Sequence, residues 1–218
     1  MRRIWSLLFS VLFLYGCARE ELMEQVAEPR VVYERMRTVF DRRADSTGVV
    51  KCLGELRVPG ASSLYVILSI DSSSGTLQLF SSLRQKLGWI RFSPDTVVHS
   101  FEAHSEFVDP EEFAGLNASM LVGQLSFPEN PRQLKVAQSR QSFHIALETD
   151  SFAHDVRLLK EPLVVQSVKI RRGESQIELH FRNYRKHGTY YFPHLLFGST
   201  PLGRFELRFM EIRVSYRS

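Results

Sequence analysis

The chain has 218 residues, of which 44% are hydrophobic and 24% are charged, and it carries a formal net charge of +4. These proportions are ordinary for a globular protein and exclude a chain too polar to fold. Because it has two cysteines, the fold has to be held by its hydrophobic core and not by a disulfide framework.

The first 16 residues have the layout of a secretory signal peptide. Arg2 and Arg3 form a positively charged start, and an apolar run extends from Ile4 to Gly16. Signal peptides have apolar regions of about 7–15 residues, whereas a membrane-spanning helix needs about 20. The segment is therefore too short to span a membrane, and we exclude it from the fold.

Cys17 ends the sequence Leu14-Tyr15-Gly16-Cys17, which resembles the lipobox of bacterial lipoproteins. The resemblance implies cleavage before Cys17, a diacylglycerol on its sulfur and an acyl group such as palmitate on its amine. One acyl chain binds a membrane only marginally, whereas two or more anchor a protein stably. The pattern therefore predicts a lipid-anchored protein of the cell envelope.

Ala18 stands where an aspartate often retains lipoproteins in the inner membrane, so we expect the outer membrane. The next residues, Arg19-Glu20-Glu21, resemble a surface-export tag but are also typical of a solvated tether. We favour the periplasmic face over the cell surface. We divide the chain into a signal peptide at 1–16, a tether at 17–30 and a single domain at 31–218.

The two parts of the mature chain carry opposite charge. Residues 17–131 have 11 basic and 16 acidic side chains, and residues 132–218 have 15 basic and 8 acidic ones. A basic surface favours an anionic membrane or an acidic partner, although exposed strands also carry Lys and Arg to protect sheet edges. Nucleic acid is not an expected partner of a protein tethered outside the cytoplasm.

The first half of the domain is predicted to contain two helices and a meander of strands. A helix is expected over 31–43, with Val32, Met36, Val39 and Phe40 on its apolar face. A second helix is expected over 110–125, because Asp109 can cap it and Pro110 suits its first turn. Between them, alternating residues and short turns predict strands over 48–58, 63–71, 76–81, 87–92 and 96–101.

Six strands are predicted in the second half, over 133–138, 142–148, 155–160, 163–171, 176–182 and 205–216. Residues 171–174 suit a hairpin turn, and a break in alternation indicates a bulge near Met210. One apolar and one charged face per strand indicate burial on one side. The prediction is a mainly β, α+β fold. It is a strongly curved antiparallel sheet, an incomplete barrel of about 10–12 strands, with two or three helices covering the concave face.

The sequence contains no Gly-rich phosphate loop, no nucleophile elbow, no paired CxxC and no HExxH. The histidine spacings match no metal motif, and His99 and His104 are interpreted as exposed polar residues. We therefore predict a protein that is not an enzyme, with no catalytic residue, no metal and no cofactor. Cys52 lies in an apolar stretch and is predicted to be a buried hydrophobe.

One segment, residues 184–197, mixes aromatic rings with cations. Arg185, Lys186, Tyr190 and Tyr191 are candidates for a surface that meets lipid headgroups or a partner protein. The alternative interpretation is a hairpin whose rings enter the core.

The order of a lipobox, a helix, a meander, a mid-chain helix and a second antiparallel set resembles the LolA/LolB-like superfamily of outer-membrane lipoproteins. The chain is similar to an uncharacterised branch of Gram-negative lipoproteins in that superfamily. The similarity is carried by Leu87 to Val97, by Tyr191-Phe192-Pro193-His194 and by the final strand, Phe205 to Tyr216. The resemblance implies an incomplete barrel with an apolar concave face under helical lids, and no catalytic residue.

Such a concave face can hold acyl chains, because burying each CH₂ contributes about 0.8 kcal/mol. The candidate lining residues are Phe80, Trp89, Phe92, Phe101, Phe113, Met120, Phe143 and Phe181. The resemblance thus implies an outer-membrane lipoprotein that binds lipid or lipoprotein acyl chains and assists outer-membrane assembly. The alternative is a protein-interaction subunit of an envelope complex, whose cavity is filled by its own side chains.

Overall fold

The computed structural model describes residues 23–71, 74–93, 97–101, 116–201 and 203–217. These ranges contain one α-helix, α1 (Pro29–Ser46), one 3-10 helix (Ala118–Val122) and thirteen strands in a single antiparallel sheet. The strands are β1 (Glu24–Gln25), β2 (Thr47–Arg57), β3 (Leu64–Asp71), β4 (Ser74–Phe80), β5 (Lys86–Phe92), β6 (Val97–Phe101), β7 (Gln133–Gln138), β8 (Ser142–Glu148), β9 (Ala153–Lys160), β10 (Leu163–Arg172), β11 (Ser175–His187), β12 (Tyr190–Thr200) and β13 (Gly203–Tyr216).

The strand order across the sheet is β1-β7-β8-β9-β10-β11-β12-β13-β2-β3-β4-β5-β6. Two meanders, β2 to β6 and β7 to β13, are joined where the last strand pairs with β2. The short strand β1 pairs with β7 and lies within the segment predicted as a tether. Because β1 and β6 stand at opposite ends, the sheet is open and does not form a closed barrel.

The predicted mainly β, antiparallel fold is confirmed, but the sheet is not the strongly curved incomplete barrel that the sequence predicted, and the number of elements differs. Thirteen strands are present instead of 10–12. The strand β12 is hidden in the sequence because it contains Pro193 and buries three consecutive residues, Phe192 to His194, so its alternation is interrupted. The strand β1 has two residues, too few for any alternation.

One α-helix is found in the described ranges, where two or three were expected. The first six residues of the second predicted helix, 110–115, lie outside the described residues, and the described part, 116–125, is not α-helical. Its described end is the 3-10 helix, whose first turn is capped by the Asn117 side chain accepting from the Ser119 N–H at 3.0 Å. Gly123 ends this helix with φ of +70°, a left-handed conformation that stops helical growth before Leu125.

Several local predictions are confirmed. Arg172 pairs with Ser175 across a two-residue turn, and the register between β13 and β2 shifts between Phe209 and Glu211, which places the bulge at Met210. Cys52 is 1% exposed, and burial raises the pKa of its thiol to about 12. No helix of the described part of the chain is long and apolar enough to cross a membrane.

The segment 116–131 covers part of the inner face of the sheet and is fastened to α1. At one end, the 3-10 helix lies against β4, where Ala118 packs on Gly75. At the other end, the ring of Phe127 makes edge contacts with Tyr33 and Phe40, at 5.7 and 5.5 Å between centroids. The Tyr33 hydroxyl donates to the Pro128 carbonyl at 2.5 Å. The helix and this segment therefore form one connected cover.

The contact between Gly75 and Ala118 leaves no room for a second methyl group. A Cβ added at Gly75 would lie 2.4 Å from the Cβ of Ala118, so Gly75→Ala should lower the free energy of unfolding by about 1–3 kcal/mol. Adding Ala118→Gly to that variant should restore part of the loss, because it removes the opposing methyl. Urea titrations of the three variants test this; equal midpoints for Gly75→Ala and the double variant would contradict it.

The Tyr33 hydroxyl is expected to contribute to stability in a pH-dependent way. Burial raises its pKa from 10.0 to about 12, so its contribution is full below the unfolded pKa and is lost as the pH rises from 10 towards 12. Tyr33→Phe should therefore cost about 0.5–1.5 kcal/mol at neutral pH and should show a shallower alkaline loss than the wild type. If the stability of the two proteins falls in parallel at alkaline pH, the Tyr33 hydroxyl does not make this pH-dependent contribution.

Candidate ligand site

The buried stripe of α1 ends in a charged residue. Tyr33, Met36, Phe40 and Arg43 are spaced three or four residues apart and face the sheet, which is the spacing of one helix face. The first three belong to the hydrophobic core. Arg43 is only 4% exposed, although arginine is rarely buried without a partner.

Aromatic rings and backbone oxygens surround the guanidinium of Arg43. It lies over the rings of Tyr190 and Phe192, with its central carbon 5.4 and 5.2 Å from the two centroids. Its Nη2 donates a hydrogen bond to the Tyr191 carbonyl. The Tyr190 hydroxyl shares a hydrogen bond of 2.7 Å with Ser46, which fixes one of the two rings.

The positive charge of Arg43 is only partly compensated. No carboxylate of the described residues forms an ion pair with it, and its Nε is buried without a hydrogen-bond partner. Burial lowers its pKa, and the titratable groups whose charge acts on it are the hydroxyls of Tyr184, Tyr190 and Tyr216. Cation–π contacts contribute about 0.5–2 kcal/mol each, whereas removing an ion from water costs several kcal/mol.

A cavity of about 160 Å³ opens beside Arg43, between the second half of α1 and the sheet. An apolar cavity of about 150 Å³ is large enough to hold benzene, so this one can take a headgroup or a short length of hydrocarbon. Its walls come from α1, from the start of β10 and from the β11–β12 turn. The lining residues are Val39, Phe40, Arg43, Pro162, Leu163, Thr189, Tyr190 and Tyr191.

A histidine pair lies next to Phe192, whose ring centroid is 5.9 Å from that of His187. The rings of His187 and His194 are stacked at 5.4 Å, with their Nε2 atoms 3.1 Å apart. The Nδ1 of His194 is 2.9 Å from the Phe209 carbonyl, which can only accept, so Nδ1 carries the proton. In the neutral pair His187 Nε2–H therefore donates to His194 Nε2. Burial lowers the pKa of both rings, and the positive charge of Arg185 acts in the same direction.

Two of the four predicted surface candidates lie at this site. Tyr190 and Tyr191 line the cavity, whereas Arg185 and Lys186 are exposed on β11. The segment 184–197 is a hairpin, in which Lys186 pairs with Tyr191 across the strands.

The predicted cavity residues are spread over both faces of the sheet. Phe92, Met120 and Phe181 are buried in the core, and Phe143 packs against it. Phe80 follows the buried Leu79 and pairs with Tyr65, so its side chain lies on the face of the sheet away from the core. Trp89 pairs with Gln78 and lies on that same outer face. The side chains of Phe101 and Phe113 lie outside the described part of the chain. The six that are described do not line the 160 Å³ cavity.

The residues that sequence reasoning missed are Val39, Phe40, Arg43, Pro162, Leu163 and Thr189. Arg43 is the informative one. It continues the spacing of Tyr33, Met36 and Phe40, and this regular spacing is the signal that would have identified it. In the described residues, no group of three His, Cys, Asp or Glu side chains is arranged to hold a metal ion.

These features define a mainly β protein with an open antiparallel sheet and a small, mostly apolar cavity under its one described α-helix. No protein-family model and no curated protein matches the chain. A LolA superfamily protein from Nitrosomonas europaea is similar in structure, with a TM-score of 0.49 at 7% identity, over 84% of this chain and 94% of that one. A DUF1329 family protein from Desulfovibrio piger is also similar, with a TM-score of 0.47 at 11% identity, over 85% and 92% of the two chains.

The histidine pair is expected to make the β11–β12 hairpin acid-sensitive. Because burial lowers the pKa of both rings below the 6.5 of a free histidine, the folded state binds these protons less well than the unfolded state, and stability should fall as the pH drops below 6.5. His187→Gln should flatten this loss, which denaturant titrations between neutral and mildly acidic pH can measure. His180→Gln, at an exposed position of the same strand, is the control; an equal change in both variants would contradict a special role of the pair.

Proposed function

We propose that this chain is an outer-membrane lipoprotein, anchored through lipid on Cys17, that binds acyl chains of lipid or of other lipoproteins and assists outer-membrane assembly. The lipobox-like sequence supports the anchor. The single observation that carries acyl-chain binding is the cavity between α1 and the sheet, whose walls include Val39, Phe40, Pro162 and Leu163. The protein acts by binding, without a catalytic residue.

The apolar walls of the cavity are suited to hydrocarbon. Each CH₂ that enters contributes about 0.8 kcal/mol, so a few methylenes already give measurable affinity. A complete acyl chain is longer than a 160 Å³ cavity can enclose, and binding it requires α1 to move away from the sheet. Val39 is 48% exposed and lines the cavity, and this supports an entrance along this side of the helix.

Acyl-chain binding can be tested by filling the entrance. Val39→Trp should reduce the binding of a fluorescent fatty-acyl probe to the full chain at least tenfold, because the larger side chain occupies the cavity. Val31→Trp is the matched control, since Val31 lies on the same helix and is 50% exposed. Unaltered binding in Val39→Trp, or no saturable binding in the wild type, would contradict the proposed function.

The lipid anchor can be tested by counting thiols, because Cys17 and Cys52 are the two cysteines of the chain. A lipidated Cys17 cannot react, and Cys52 is buried with a raised pKa. Protein purified from its own envelope should therefore show no reactive thiol when folded and one in urea. Cys52→Ala should show none in urea, and a second thiol in the unfolded wild type would contradict the anchor.

A patch of exposed apolar side chains favours a second candidate function, a protein-interaction subunit of an envelope complex. Leu53 and Ile67 are cross-strand partners on β2 and β3, each 39% exposed, and Met210 in the adjacent bulge is 49% exposed. Contiguous apolar surface of this kind often marks a protein interface. Ile67→Lys should then remove a crosslinked envelope partner while acyl-probe binding stays unchanged, and unaltered crosslinking would contradict this role.

A further inference from the structure

We propose that Arg43 binds the anionic headgroup, a carboxylate or a phosphate, of the ligand whose hydrocarbon enters the adjacent cavity. This inference rests on the proposed function and names the class of ligand as an anionic amphiphile. It is carried by the position of a buried cation, without a described ion-pair partner, in the wall of a cavity that is otherwise mostly apolar.

The first argument concerns unused hydrogen-bonding capacity. A guanidinium has five N–H donors in a planar fork. Here one hydrogen bond goes to the Tyr191 carbonyl, and Nε is buried without a partner in the described structure. A carboxylate or phosphate matches this fork and accepts two hydrogen bonds at once, which a backbone carbonyl does not offer.

The second argument concerns charge. Arg43 lies in the last turn of α1, where the helix dipole supplies the equivalent of about half a negative charge. Tyr190 and Phe192 add the negative faces of their rings. These partial charges offset some of the positive charge of Arg43, but its guanidinium keeps a net positive charge where it is largely shielded from water. An anion bound beside it would complete the compensation.

The third argument concerns the shape of the ligand that the site selects. Phe40, Pro162 and Leu163 provide an apolar wall in the same cavity that Arg43 lines. The Tyr190 hydroxyl is engaged with Ser46, so the guanidinium is the charged recognition group. A molecule with a hydrocarbon chain and an anionic end can satisfy both parts of this site together, whereas a free ion leaves the apolar wall unfilled.

The experiment compares probes that share a chain and differ in the headgroup. Binding of palmitate, palmitoyl lysophosphatidate and hexadecanol is measured on the full chain in non-ionic detergent, above the titration range of histidine. At least one anionic probe should bind about tenfold to a hundredfold more tightly than hexadecanol, the gain typical of hydrogen bonds to a charged group. Preference for palmitate identifies a carboxylate headgroup, and preference for lysophosphatidate identifies a phosphate.

Variants of Arg43 separate recognition from packing. Arg43→Met keeps the length of the side chain and should abolish the preference for the anionic probe while hexadecanol binding stays within twofold. Arg43→Lys should keep part of the preference. Arg42→Met, at an exposed position of the same turn, should change nothing. If Arg43→Met retains the preference, or weakens hexadecanol equally, the inference is wrong.

Two further results distinguish the possible failures. If no probe binds the wild type, the proposed function itself fails, whereas equal binding of all three probes overturns only the role of Arg43. The Tm of ligand-free Arg43→Met should equal or exceed that of the wild type, because the variant no longer buries an incompletely compensated charge. A large fall in Tm would instead assign Arg43 to structural packing and would overturn the inference.

Discussion

The structure depends on covering the apolar face of a sheet that is much wider than its helix. Thirteen strands at about 4.8 Å spacing would extend for about 58 Å in a flat sheet, whereas the 18 residues of α1 measure about 27 Å. The segment 116–131 has to extend the cover, and it can do so because Phe127 and Pro128 hold it to Tyr33 of α1. Arg30 adds hydrogen bonds to the Glu129 carbonyl and the Asn130 side chain, so the cover of the inner face depends on several contacts between α1 and this segment.

The cavity lies at the second half of α1. Its walls come from this part of the helix, from Pro162 and Leu163 at the start of β10 and from the β11–β12 turn. Arg43 lines it and is 4% exposed, and its charge is compensated by two aromatic rings and one backbone carbonyl. The cavity and the incompletely compensated charge therefore lie at the same place in the fold.

The sequence predicts the strands well where alternation is strict and fails where it is interrupted. The register of β2, β3 and β4 follows their period of two, but Pro193 and its buried neighbours obscure β12. The lining of the cavity is harder to predict, because an aromatic side chain can lie on either face of the sheet. Phe80 and Trp89 lie one position out of phase with Leu79 and Gly88, which face the core, and counting the alternation would have separated them.

Helix α1 illustrates the same difficulty. The expected apolar face included Val39, which is 48% exposed, and omitted Arg43, which is 4% exposed. The spacing of Tyr33, Met36 and Phe40 includes Arg43, but a hydrophobicity scale leaves an arginine out of a buried face, because burial of a cation is favourable only with particular partners. Those partners, the rings of Tyr190 and Phe192, come from a strand about 150 residues away in sequence, and local patterns contain no information about them.

Phe192 connects the candidate ligand site with the histidine pair. Its ring is 5.2 Å from the guanidinium carbon of Arg43 and 5.9 Å from the ring of His187, so protons taken up by the pair place positive charge within about 11 Å of Arg43. At that separation two unit charges interact by about 0.4–1.5 kcal/mol for effective dielectric constants of about 80 to 20.

An anion bound at Arg43 would therefore favour protonation of the pair, and protonation would in turn favour the anion, because such coupling is reciprocal. Acid would strengthen headgroup binding while it weakens the hairpin that supplies Tyr190 and Tyr191. The balance of these two effects would set the pH range over which a headgroup binds.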